Sequence, residues 1–159
     1  MNSHIKFLIQ KYRSKGVLID TNLLLLYIVG SLDIELIANF KRTTQYTTDD
    51  FDIVADFLRL FSQTIVTPHI LTEVSDFIGN RVVLQALLKI FIEKEAEEKF
   101  TASKEIIQTQ GFIEFGLADT ATIYTGKDSF LIFTDDNPLY GFLSNLKIDA
   151  VSLDQLRLI

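Results

Sequence analysis

The fold is decided by the stretch Val17-Leu18-Ile19-Asp20-Thr21-Asn22-Leu23-Leu24. Three successive branched apolar residues are typical of a short buried strand. The strand ends at Asp20, and Thr21 and Asn22 can then cap a helix that runs from Leu23 to Val29 and ends at Gly30. This pattern predicts a strand that passes directly into a helix, with an acidic side chain at the junction.

Short apolar strands alternate with helices along the rest of the chain. Further strands are predicted at residues 64–67, 130–133 and 150–152, helices at 4–13, 33–42, 51–61, 69–78, 112–124 and 138–146, a polar loop at 43–48, and a mostly helical span at 81–110. The alternation predicts an α/β fold, a three-layer α/β/α sandwich with a central parallel sheet. In such sheets the active crevice lies beyond the carboxyl ends of the strands, so catalytic residues should follow strands or begin helices.

The composition indicates one compact domain and excludes several kinds of chemistry. Of the 159 residues, 48% are hydrophobic and 23% are charged, which favours a globule over a disordered chain. The absence of cysteine excludes disulfides, thiolate catalysis and cysteine zinc sites. The net charge of −6 argues against a protein that grips nucleic acid through bulk positive charge, although carboxylates around a metal ion are neutralised by it.

No targeting or membrane-spanning segment is predicted. The first 15 residues carry four lysine or arginine side chains but lack the apolar stretch of a signal peptide. The longest uncharged apolar run, Thr21–Leu32, is shorter than the roughly 20 residues that a transmembrane helix needs. We therefore expect a cytoplasmic protein without membrane contact.

Five acidic side chains are candidates for an active site. Asp20 and the pair Asp135 and Asp136 directly follow predicted strands, Glu73 lies early in the helix after the second strand, and Asp119 lies in a helix of small and apolar residues. Helix capping is an alternative role for Asp20 and for one member of the pair, and a solvated position is the alternative for Glu73. Because its neighbours are small, Asp119 is expected to be partly buried, and a buried carboxylate requires a cation, a cap or a metal.

Carboxylate oxygens suit hard cations such as Mg²⁺ or Mn²⁺. A cluster of carboxylates that holds one or two such ions is a known solution for phosphodiester hydrolysis, in which the metal activates water and stabilises charge on the attacked phosphate. No Ser-His-Asp arrangement is evident in the sequence. The acidic set therefore predicts metal-dependent hydrolysis.

Four segments resemble the sequence motifs of the PIN domain family. They are residues 17–24 (VLIDTNLL), 67–74 (TPHILTEV), 116–121 (GLADTA) and 133–136 (FTDD), in the family's order along the chain. The resemblance implies a PIN-like fold and a Mg²⁺- or Mn²⁺-dependent nuclease, an endoribonuclease acting on RNA. It assigns catalysis and metal binding to Asp20, Glu73, Asp119 and Asp136, metal binding also to Asp135, and a supporting role to Asn22 and Thr134.

Two features depart from compact members of that family, such as the VapC-type toxin ribonucleases. The resemblance makes residues 16–159 a PIN-like nuclease domain, and residues 1–15 an additional N-terminal helical extension. The interval of 53 positions between Asp20 and Glu73 is longer than in those toxins, and the extra length falls near residues 33–50. RNA, an antitoxin-like protein and a second copy of the chain are the partners that the resemblance implies.

Two other functions stay open at this point. A PIN-like scaffold that binds protein partners without catalysis would have an incomplete acidic set, and a structure-specific DNA nuclease would carry more basic substrate-binding elements. The densest basic cluster consists of Lys6, Lys11, Arg13 and Lys15. We interpret this cluster as solvated surface, and His69 as a surface residue.

Overall fold

Helices and strands alternate along residues 2–158, the part of the chain that the computed structural model describes. The strands are β1 (Val17–Ile19), β2 (Thr64–Val66), β3 (Ala96–Glu98), β4 (Leu131–Thr134) and β5 (Ala150–Ser152). The helices are α1 (Ser3–Tyr12), α2 (Thr21–Leu32), α3 (Thr48–Leu58), α4 (Pro68–Ile78), α5 (Val82–Lys94), α6 (Ser103–Ile106), α7 (Phe112–Gly126), α8 (Asn137–Asn145) and α9 (Leu153–Arg157), with a 3₁₀ helix at Ile34–Leu36.

The strands form one sheet in which every neighbouring pair is parallel, in the order β3-β2-β1-β4-β5. This arrangement confirms the predicted α/β fold with a parallel central sheet. The chain moves from β1 outward through β2 to β3, then crosses to the other side of β1 and continues through β4 to β5. The strand order therefore reverses between β1 and β4, and in open parallel sheets ligands bind beyond the carboxyl ends of the strands at such a point.

Both faces of the sheet carry a hydrophobic core. Along β4, Leu131 and Phe133 belong to a cluster with residues of α1 to α5, whereas Ile132 belongs to a second cluster with residues of α7 and α8. Alternate residues of a strand point to opposite faces, so helices flank the sheet on both sides. All four residues of β4 are buried, as expected for a strand covered on both faces.

The N-terminal helix α1 packs into the larger of these two cores. Ile5, Leu8 and Tyr12 are buried there, on one face of α1. Their spacing is that of an amphipathic helix, as the sequence predicts. The division into residues 1–15 and residues 16–159 stays a prediction, and its outermost residues, Met1 and Ile159, lie outside the described part of the chain.

The helix that follows Asp20 is longer than the sequence predicts. Asp20 itself is the N-cap of α2, and the helix continues through Gly30 to Leu32. A Cβ atom at Gly30 would lie 2.3 Å from the ring of Phe51 in α3, so the glycine permits close packing of the two helices rather than ending the first. Within residues 2–158, no helix combines the length and apolar character needed to cross a membrane.

The predicted helix at residues 33–42 is wrong. The chain there forms the short 3₁₀ helix Ile34–Leu36 and then successive turns, in which Thr43 N–H donates to Phe40 O at 2.9 Å and Tyr46 N–H to Thr43 O at 3.0 Å. Every third residue is buried from Ile37 through Phe40 and Thr43 to Tyr46. This period of three matches tight turns and differs from the 3.6 residues of an α-helix.

The span 81–110 contains a strand that the sequence does not predict. Helix α5 ends at Lys94, and β3 then pairs with β2 in parallel, Thr64 opposite Ala96 and Val66 opposite Glu98. Two of the three residues of β3 are glutamates, which are poor strand formers. Charged side chains are common on strands at the edge of a sheet, and β3 lies at that edge.

Candidate active site at the carboxyl edge of the sheet

Asp20 lies at the junction of β1 and α2 and is buried, with 8% of its surface exposed. One carboxylate oxygen accepts a hydrogen bond from Leu23 N–H at 3.0 Å, which caps α2, and the other accepts one from Asp135 N–H at 3.0 Å. Burial raises the pKa of Asp20 far above its ordinary value, and the negative charge of Asp135 raises it further, against several hydrogen bonds that lower it. Asp20 is thus both a helix cap and a carboxylate at the switch point.

Asp135 follows β4 as Asp20 follows β1. The two strands are neighbours, with Ile19 opposite Phe133, so the two aspartates come together at the same edge. The hydroxyl of Tyr46 donates to one oxygen of Asp135, and the side-chain amide of Asn22 donates to the other at 3.5 Å. Asp135 does not cap α8, and capping therefore does not explain its position.

Tyr46 is a buried member of the site that comes from the turns before α3. Burial raises the pKa of its hydroxyl, and the hydrogen bond to Asp135 and the charges of Asp135 and Asp20 raise it further. The hydroxyl therefore keeps its proton and remains a hydrogen-bond donor to the carboxylate.

Asp136 is the N-cap of α8. Its carboxylate accepts a hydrogen bond from Leu139 N–H at 2.8 Å, and Pro138 occupies the first turn, where a missing N–H does no harm. The backbone N–H of Asp136 donates to the buried hydroxyl of Thr134 at 2.9 Å. Thr134 and Asn22, the two predicted supporting residues, thus contact Asp136 and Asp135 respectively.

Asp119 lies in α7 just after a break in the helix. Gly116 has φ of 79° and ψ of −174°, so α7 consists of two segments, with Asp119 in the first turn of the second. That backbone conformation favours glycine, and the start of a helix favours a carboxylate. Burial raises the pKa of Asp119 to about 6, with further contributions from the charges of Asp136 and Glu73. The charges of Asp136 and Glu73 therefore both act on the carboxylate of Asp119.

Glu73 is half-buried on α4, and the hydroxyl of Thr21 donates to it at 2.7 Å. Thr21 follows Asp20 directly, so this hydrogen bond links α4 to the end of β1. Helix α4 begins at Pro68, one residue before the predicted range, and Thr67 is its N-cap rather than the last residue of the strand. Glu73 therefore has a specific partner and is not simply a solvated helix residue.

The five carboxylates form two adjacent groups at one edge of the sheet. The carboxylate of Asp20 accepts a hydrogen bond from the backbone N–H of Asp135 and is affected by the charge of the Asp135 side chain, and Asp119 faces the charges of Asp136 and Glu73. Within residues 2–158, no three His, Asp or Glu side chains stand in a ready-made metal-binding arrangement. The donors are nevertheless all oxygens, which is the chemistry that Mg²⁺ and Mn²⁺ prefer.

The basic cluster on α1 lies away from the carboxylates. Lys11 Nζ is 2.6 Å from Asp149 Oδ2, and the Tyr12 hydroxyl donates to the same oxygen at 2.9 Å. Asp149 immediately precedes β5, so this contact is at the amino edge of the parallel sheet. The carboxylates lie at the opposite, carboxyl edge.

His69 is half-buried beside Glu73, and both line a shallow groove that Leu117 and Ala118 close from the side of α7. Its Nδ1 atom is buried and has no hydrogen-bond partner among residues 2–158. His69 is thus a less exposed residue than the sequence suggests.

Two residues of the site escape sequence reasoning. Tyr46 lies in the stretch predicted as a polar loop. Its buried position continues a spacing of three residues that starts at Ile37, and this spacing is the one sequence signal that points to a buried Tyr46. Thr21 stands next to Asp20 in the quoted stretch, where its alternative role as a helix cap conceals its contact with Glu73.

Comparison of the chain with models of known protein families and with curated proteins gives no match. The chain is a parallel α/β protein with acidic side chains at the point where the strand order reverses. The resemblance to the PIN family, the antitoxin-like partner and the homodimer stay predictions.

Proposed function

We propose that this chain is a PIN-type, Mg²⁺- or Mn²⁺-dependent endoribonuclease that hydrolyses RNA phosphodiester bonds. The observation that carries the proposal is the gathering of Asp20, Asp135, Asp136, Asp119 and Glu73 at the switch point between β1 and β4. Two of these carboxylates have raised pKa values in part because of their acidic neighbours. Like charges in a partly buried site destabilise the fold. If these carboxylates had a purely structural role, we would expect them to lie apart or beside basic side chains.

A divalent cation would relieve this repulsion. The carboxylates of Asp20 and Asp135 would hold it on the side of β1 and β4, and those of Asp119, Asp136 and Glu73 on the side of α7 and α4. Because the side chains do not form a ready-made cage, the ion would have to draw them closer together. When bound, Mg²⁺ or Mn²⁺ supplies the charge that activates water and stabilises the attacked phosphate.

The chain's own residues set the orientation of this site. The backbone N–H groups of Leu23 and Asp135 fix both oxygens of Asp20, and Leu139 N–H fixes one oxygen of Asp136. Thr21 fixes Glu73 from the end of β1. These hydrogen bonds orient the carboxylate oxygens before an ion or a phosphate arrives, which favours catalysis.

Substrate binding in this proposal depends on the ion. The net charge of the chain is −6, and the lysine-rich end of α1 lies at the far edge of the sheet. An RNA phosphate at the carboxyl edge would be repelled by the carboxylates of the site until a cation neutralises them.

The test is Mn²⁺-dependent cleavage of a mixed set of structured and single-stranded RNAs by wild type, Asp20→Asn and Asp56→Asn. Asparagine caps helices about as well as aspartate, so Asp20→Asn removes the charge and keeps the cap of α2. Asp56 is an exposed acid on α3 that pairs with Arg59, which makes it the matched control. We expect cleavage by wild type and Asp56→Asn, and a loss of about a hundredfold or more in Asp20→Asn, since even indirect ligand contacts are typically worth 10–100-fold.

Cleavage that is independent of metal, or that is equal in all three proteins, would contradict the proposal. Cleavage of DNA but not of RNA, with the same dependence on Mn²⁺ and Asp20, would replace the RNA substrate by DNA.

A further inference from the structure

The residues that lengthen the interval between Asp20 and Glu73 bring Tyr46 to the acidic site. Tyr46 is buried, with 5% of its surface exposed, and its hydroxyl donates to Asp135. Within residues 2–158, the one other side chain that donates to the Asp135 carboxylate is that of Asn22, whose contact of 3.5 Å is at the limit of a hydrogen bond. The phenol is therefore the principal side-chain partner of Asp135 among the described residues.

The backbone holds Tyr46 from both sides. Its N–H donates to Thr43 O, and the Thr43 hydroxyl in turn donates to Ile37 O at 2.8 Å, which ties the turns together. The next residue, Thr47, is the N-cap of α3 and forms a capping box with Asp50. Tyr46 therefore has little freedom to move independently of α3.

Asp135 requires such a partner because it lies beside the carboxylate of Asp20. Two adjacent carboxylates repel, and an unsupported Asp135 side chain would turn away from Asp20. A neutral hydroxyl that donates to Asp135 offsets part of its charge without itself competing as an anion. Partners of this kind orient the groups that bind a metal ion.

We infer that Tyr46 is a positioning residue, which holds the Asp135 carboxylate beside Asp20 so that both can bind one divalent cation. The inference rests on the proposed function and adds a residue that the resemblance to the PIN family does not assign. It also gives the additional length between residues 33 and 50 a role in the site.

The experiment measures Mn²⁺ affinity by titration calorimetry for wild type, Tyr46→Phe and Tyr27→Phe. Tyr27 is the matched control, because its hydroxyl also donates to a carboxylate, that of Glu95, at 2.8 Å, away from the five acids. We expect Tyr46→Phe to bind Mn²⁺ about 10–100-fold more weakly than wild type, and Tyr27→Phe to bind as wild type does. Thermal unfolding of the apo proteins establishes that both variants are folded.

A double-mutant cycle with Asp135→Asn separates positioning from a general structural effect. If Tyr46 acts through Asp135, Tyr46→Phe causes no further loss of Mn²⁺ affinity in the Asp135→Asn background. Equal Mn²⁺ affinity in wild type and Tyr46→Phe, or fully additive losses in the cycle, would overturn the inference and leave the proposed function standing. Absence of Mn²⁺ binding by wild type would overturn both.

Discussion

At the scale of single residues, two of the acids have a structural role and a proposed chemical role at once. Asp20 caps α2 and Asp136 caps α8, each through one carboxylate oxygen. The cap needs only a hydrogen-bond acceptor, whereas cation binding needs the negative charge. Substitutions that keep the acceptor and remove the charge can therefore separate the two roles.

Asp136→Asn and Asp136→Ala form such a pair. Asparagine retains the cap of α8, whereas alanine loses it at a cost of about 1 kcal/mol in the free energy of unfolding. We expect urea denaturation to show that difference, while both variants lose Mn²⁺-dependent RNA cleavage equally. Wild-type cleavage by Asp136→Asn would show that the cap alone accounts for Asp136.

Among the residues of the site, those that follow strands could be predicted from the sequence. Asp20 and Asp135 come directly after runs of apolar residues, and the topology of parallel sheets brings such positions together. Tyr46 could not be predicted in this way, because its place depends on tight turns and not on a strand or helix. Its contact with Asp135 spans 89 positions of the chain, and no local pattern encodes it.

At the scale of elements, periodicity predicts the strands that are buried and fails for those that are not. The strands β1, β2, β4 and β5 lie within one or two residues of their predicted positions. Strand β3, with two glutamates, gains its conformation from pairing with β2 and has no hydrophobic pattern of its own. The predicted helix at residues 33–42 is wrong for a related reason, since a spacing of three between apolar residues is easily mistaken for that of an α-helix.

Helices α3 and α9 are joined by an ion pair between the buried carboxylate of Asp50 and the partly exposed side chain of Arg157, which provides a test of how the elements are held together. Arg157 donates to both oxygens of Asp50, at 2.7 and 3.0 Å, and the Asp50 side chain is 5% exposed. Arg157→Gln should lower the free energy of unfolding by about 1–3 kcal/mol near neutral pH, because it removes the charged partner of a buried carboxylate that then keeps only the hydrogen bond from Thr47 N–H among the described residues, and because it also breaks the exposed pair with Asp154. Arg59→Gln breaks the fully exposed pair with Asp56 and should cost less than about 1 kcal/mol.

The difference in the free energy of unfolding between wild type and Arg157→Gln should depend on pH because Asp50 titrates. Burial raises the pKa of Asp50, but hydrogen bonds from Arg157 and Thr47 outweigh burial and hold the pKa below its ordinary value of 3.8. The stabilisation is therefore complete above the pKa of the unfolded chain, and it is lost as pH falls through the lower pKa of the folded protein. Urea denaturation below about pH 4 should show a smaller difference between wild type and Arg157→Gln, and a difference that grows with acidity would contradict this account.

At the scale of the whole molecule, the distribution of charge follows the direction of the sheet. The carboxyl ends of β1 and β4 carry the acids, and the amino edge carries the basic end of α1, where Lys11 pairs with Asp149. The parallel strands account for this separation, because all their carboxyl ends lie at one edge of the sheet and all their amino ends at the other. The proposed enzyme would thus bind its cation before its RNA.

We propose a divalent-cation site at this edge of the sheet, and its occupancy can be measured by Mn²⁺ titration followed by electron paramagnetic resonance. Wild type, Asp20→Asn and Asp56→Asn would be compared at equal concentration, with loss of the free-ion signal as the measure of binding. We expect Mn²⁺ to bind saturably to wild type and to Asp56→Asn. The affinity of Asp20→Asn for Mn²⁺ should be lower by about a hundredfold or more. Equal titration curves for all three proteins, or no saturable binding by wild type, would contradict the proposed site.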